Sequence, residues 1–163
     1  MKRLLCTSLL IVFCFGLIPA KAFDSAENLD KTVAYALERY ADPSYGDEWI
    51  VFGLARSGRN VPDSYYDLYM QNAPGDFLNE REQTRIVATD YARLALTLAA
   101  IGQTPESFCG ENILTYLADM SFLEESNLSG FVYALLAFDS KHYEIPKIDS
   151  AQCADREKLL EAI

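Results

Sequence analysis

From residue 25 onward the apolar positions recur with the period of an α-helix. Val33, Ala36, Leu37 and Tyr40 fall at i, i+3, i+4 and i+7, which predicts an amphipathic helix over residues 25–41. Asp42-Pro43-Ser44-Tyr45-Gly46 should end it. A second helix is predicted from Asp47 to Ser57, closed by Gly58, since glycine tolerates the left-handed cap conformation. Pro62-Asp63 opens a third, over 63–73, with Tyr65, Leu68 and Tyr69 on one face and Ala73-Pro74-Gly75 as its stop. Residues 76–87 are charged and weakly patterned, and read as a connection with at most one helical turn. Further helices are predicted at 90–101, 110–120, 127–138 and 151–163. No segment alternates apolar and polar residues for long, so the expected fold class is all-α.

Three of these helices share a grammar. Trp49 to Gly58 is followed by Pro62, Tyr91 to Gly102 by Pro105, and Phe131 to Ser140 by Pro146. Each begins with an aromatic residue, runs through leucine and alanine, stops at Gly or Ser, and gives way to a proline that opens the next segment. The stops at 58, 102 and 140 lie 44 and 38 residues apart. These helices are apolar nearly all round, whereas 25–41, 63–73 and 110–120 are apolar on one side only. An all-round apolar helix is expected to be buried. The alternation therefore predicts stacked helical hairpins with an inner and an outer layer.

The first 22 residues change the picture of the compartment. Lys2 and Arg3 precede an apolar run from Leu4 to Ile18, then Pro19 and Ala20-Lys21-Ala22. This is the pattern of a signal peptide cleaved after Ala22. The run is short for a membrane span, and Phe13 before Cys14 does not fit a lipoprotein signal. The expected division is thus 1–22 as signal and 23–163 as the repeat domain of a secreted or cell-surface protein, with no membrane span after cleavage. Cleavage removes three of the 14 basic residues and none of the 24 acidic ones, which leaves 11 against 24, a net charge of −13. Such a surface repels nucleic acid phosphates. Cys109 and Cys153 remain, and in an exported chain they either pair as one disulfide or stay as two buried thiols. They cannot form a zinc site by themselves, and the sole histidine, His142, falls on a turn.

Several stretches resemble the prenyltransferase and terpene-cyclase repeat family. They are Thr89-Asp90-Tyr91-Ala92-Arg93, Ala99-Ala100-Ile101-Gly102, Leu117-Ala118-Asp119-Met120, and Tyr133 to Ser140 with Tyr143-Glu144-Ile145-Pro146. The likeness spans residues 28–163 and is greatest to secreted bacterial members, whose repeat domain is often followed by a transcobalamin-like domain. It implies an α/α toroid of inner and outer helices. A toroid needs about six hairpins; this chain supplies about three, a partial ring or a truncated one. The family's Asp-x-Asp-Asp motif, its Gly-Gly-Trp signature and the Asp, Cys and His of its zinc site have no counterpart here.

The resemblance therefore implies an exported, non-catalytic binding or surface-associated module with no cofactor and no metal. The alternatives are the N-terminal part of a cyclase or prenyltransferase-like enzyme, or of a cobalamin-type carrier. Trp49, Tyr91, Phe131 and Tyr133 are candidates to line a cavity for an apolar ligand, or else are core. Asp47, Asp90 and Asn127 or Ser129 stand at the starts of the inner helices, where they would form a polar rim or simply cap. Arg93 interrupts an apolar face and needs a partner, with Asp90 or Asp47 in reach. The expected partners are an apolar small molecule or another protein, including a second copy, because the end faces of a three-hairpin stack lack neighbours.

Overall fold

A computed structural model describes residues 25–163. The expected signal segment and its cleavage point lie outside the described residues. The helices are α1 (Ser25–Arg39), α2 (Glu48–Arg56), α3 (Asp63–Gln83), α4 (Ala88–Ala100), α5 (Met120–Glu124), α6 (Asn127–Asp139) and α7 (Arg156–Glu161), with 3-10 turns at Pro105–Ser107 and Ile113–Ala118. No sheet is present among the described residues, only two isolated bridges. The fold is all-α. None of these helices is long and apolar enough to cross a membrane.

The centre of the molecule is α4, which packs between α2 and α6. Nine of its thirteen residues are buried, including Leu94, Leu96 and Leu98. These three helices are the ones whose all-round apolarity predicted an inner layer. That prediction needs correction for α2 and α6. Trp49 is 47% exposed and Leu136 50% exposed, because no described element covers the outward side of either helix.

Outside this row, α3 buries Tyr65, Tyr69, Ala73 and Phe77, one stripe at successive intervals of four. This helix was expected to stop at Pro74 and instead continues to Gln83. Proline forfeits one backbone hydrogen bond. Phe77, fully buried against Tyr45, Tyr91 and Phe108, anchors the second half to the core. The expected helix over 110–120 is also revised. Asn112 accepts from Leu114 N at 3.0 Å and Asp119 from Ser121 N at 3.0 Å, so two side-chain caps start two short elements in place of one. The last helix shrinks to Arg156–Glu161, capped by Asp155 through Lys158 N at 2.9 Å. Before it, residues 142–155 run as a strap. Met120 N bonds Gln152 O at 2.9 Å, and Ala154 N bonds Ala118 O at 2.8 Å, which ties the strap to the start of α5.

Candidate functional site

The residues singled out in the sequence separate into two groups and two outliers. Asp90 and Arg93 come together near the start of α4, where the guanidinium meets Asp90 Oδ1 at 3.1 Å. Its second partner is Glu48, the first residue of α2, at 3.0 Å from Nε to Oε2. Glu48 is completely buried and fully engaged. Its Oε1 accepts from Gly46 N at 2.9 Å and from Tyr69 OH at 3.2 Å, and its carbonyl from Thr97 Oγ1 at 3.0 Å. Burial raises the Tyr69 phenol well above its usual range, helped by the Glu48 charge; burial does the same for Tyr45, with Asp90 and Glu48 adding to it. Every charge in this cluster has an opposite charge beside it, and the arrangement bolts α2 to α3 and α4.

Sequence reasoning found Arg93 and Asp90 but missed Glu48. A signal existed, because Glu48, Val51 and Leu54 form the buried stripe of α2. The expected capping roles also need correction. Asp47 points back to Ser44 N at 3.1 Å and makes no side-chain cap on α2. Asp90 is occupied by Arg93. Asn127 sits at φ +52, and Ser129 Oγ donates to Ser126 O at 2.6 Å, so neither caps α6.

Trp49 and Tyr133 form the second group. Their rings meet with centroids 5.9 Å apart, so α2 and α6 touch above α4, and Phe52 stands edge-on to Trp49 at 6.0 Å. Toward the C-terminal ends of the three helices this aromatic path runs into a groove of about 340 Å³. Its apolar lining is Phe52 from α2, Leu96, Ala99 and Ala100 from α4, and Leu136 from α6. Arg56, Asp139, Ser140 and Lys141 supply the polar part. Asp139 is engaged by Arg156. Arg56 and Lys141 have no carboxylate partner among the described residues. A larger, more open hollow of about 790 Å³ lies under the 142–155 strap. Its lining mixes charged side chains, among them Glu144, Lys147 and Arg156, with Tyr143, Ile145 and Ile148, and Lys158 is already bonded to Cys153 O at 2.7 Å.

Tyr91 and Phe131 stand apart from both groups. Tyr91 stacks on Tyr116 at 4.3 Å, and burial pushes its phenol up to about 12. Phe131 is 8% exposed and belongs to the core. Cys109 and Cys153 are unpaired and half-buried. They point to different places, Cys109 Sγ toward Pro74 O and Cys153 Sγ toward Pro146 O, each at 3.8 Å. No group of three or more metal-ligating side chains gathers among the described residues. No family model matches the chain, and no curated protein or solved structure is significantly similar to it.

Proposed function

We propose that this chain is an exported, non-catalytic binding module whose ligand is an apolar small molecule held on the open face of α2, α4 and α6. In this reading the helix row is part of an α/α toroid and the face is its inner surface. The observation that carries the proposal is the uncovered aromatic and aliphatic surface, with Trp49 and Leu136 each about half exposed beside a groove floored by Leu96. A soluble protein rarely leaves a contiguous apolar face open unless something binds there. Asp139, the one carboxylate in the groove's lining, is engaged by Arg156, and Glu48 and Asp90 are engaged by Arg93, which argues against their use as proton donors to a substrate.

Trp49 is the only tryptophan, so its emission reports on this face alone. Titration of the chain with 1-decanol should shift that emission to the blue in a saturable way, and Leu136→Glu should abolish the shift while leaving the helical dichroism intact. An unchanged spectrum throughout the titration would sink the proposal.

A further inference from the structure

Resting on that reading, we infer that the ligand is a straight-chain carboxylate, with its head between Arg56 and Lys141 and its chain running over Phe52 toward Trp49. The chemistry of the groove is asymmetric. Its apolar lining ends at two cations, from the last residue of α2 and the residue after α6's cap, and neither has a carboxylate partner among the described residues. In a protein with a net charge of −10, two such cations converging on one groove mark a local exception.

The simplest structural account is that the cations offset the negative ends of the helices. Those ends have other partners: at α2, Ser57 N and Ser57 Oγ both donate to Leu54 O, at 3.2 and 2.7 Å. Gln103 N bonds Leu98 O at 2.8 Å past α4, and Tyr143 N bonds Phe138 O at 2.8 Å past α6, the wrap of a Schellman cap. Asp139, the one acid in the lining, is taken by Arg156. The guanidinium and ammonium thus remain available, and a planar guanidinium matches a carboxylate in two-point hydrogen bonding. Two single charges suit a monoanion better than a diphosphate, whose further charge would face an acidic protein unpaired. The groove, at about 340 Å³, is at the small end of ligand sites. It holds the head and the first part of a chain, and the contacts from Phe52 to Trp49 and from Trp49 to Tyr133 extend the apolar path beyond it.

The test compares dodecanoate with 1-dodecanol, both below their aggregation limits, on the full chain and on the Arg56→Gln/Lys141→Gln variant. Binding is read by Trp49 emission and by calorimetry. The native chain should bind the acid about tenfold more tightly than the alcohol, the difference between a charge-assisted and a neutral hydrogen bond. The variant, with unchanged dichroism, should bind both equally. Equal affinities in the native chain would overturn the carboxylate assignment and leave the apolar-ligand reading standing. A preference that survives in the variant would overturn it too. Failure of both amphiphiles to bind would remove the inference together with the reading beneath it, as would a dimer in sedimentation that excludes them.

Discussion

Arg93 Nε lies 3.0 Å from Glu48 Oε2, and the glutamate side chain has no exposed surface while the arginine keeps 23% of its own. One end of this pair is sealed in the core and the other reaches the surface. A buried carboxylate survives in a core only when its lone pairs are occupied, and here a guanidinium, a phenol and a backbone N–H occupy them.

Removing the arginine should therefore cost more than its partial exposure suggests. Arg93→Met leaves Glu48 buried without its counter-charge, and loss of one partner of a buried pair costs about 3–5 kcal/mol. Urea unfolding of Arg93→Met, Glu48→Gln and the double variant should show the double to be less destabilised than the two single effects combined, because the orphaned charge is gone. Additive effects would mean that the pair is not energetically coupled.

A second weak point is Gly130 in α6. A Cβ there would lie 2.2 Å from the carbonyl oxygen of Leu123, the backbone of α5. Alanine is the better helix former by about 1 kcal/mol, so the sign of Gly130→Ala decides between propensity and contact. The obstacle is backbone and not a flexible side-chain tip, so contact should win, and overpacking of this kind costs about 1–3 kcal/mol. A raised melting temperature for Gly130→Ala would show that α5 moves aside at little cost.

How far the sequence disclosed this molecule depends on which link is asked about. The helix row was legible because α2, α4 and α6 each carry an apolar stretch on more than one side that only burial or a partner explains. The continuation of α3 through Pro74 was not, since the pull comes from Phe77 packing on residues from three other segments, a tertiary effect invisible to local punctuation. Arg93 advertised itself as a charge in an apolar stretch, and its tie to Asp90 followed from helical spacing. Glu48 hid beside Asp47, a residue type that usually caps. Of the aromatic candidates, Trp49 and Tyr133 share the open face and Tyr91 does not. Separating them required knowing which side of α4 each neighbour occupies, and periodicity alone cannot fix that for a helix apolar all round.

The last prediction concerns Tyr65, whose hydroxyl is buried without a hydrogen-bond partner. Its residue is 7% exposed, and burial, with the Asp47 charge behind it, raises the phenol to about 12. Two consequences follow. Tyr65→Phe deletes a desolvated, unpaired hydroxyl while keeping the ring that meets Tyr66 edge-on at 5.8 Å, so it should stabilise the fold by roughly 1 kcal/mol. The raised value also has a defined sign in pH. The folded state holds the phenolic proton more tightly than the unfolded chain, whose tyrosines titrate at about 10. The stability this confers is present in full below pH 10 and is lost between 10 and 12, at up to about 1.4 kcal/mol per pH unit. Tyr65→Phe should lessen the alkaline slope by one tyrosine's share, since Tyr45, Tyr69 and Tyr91, whose phenols are raised as well, keep theirs. Denaturant midpoints measured from pH 8 to 12 for both proteins supply the check. Parallel alkaline slopes would show that Tyr65 is reached by solvent in the folded state.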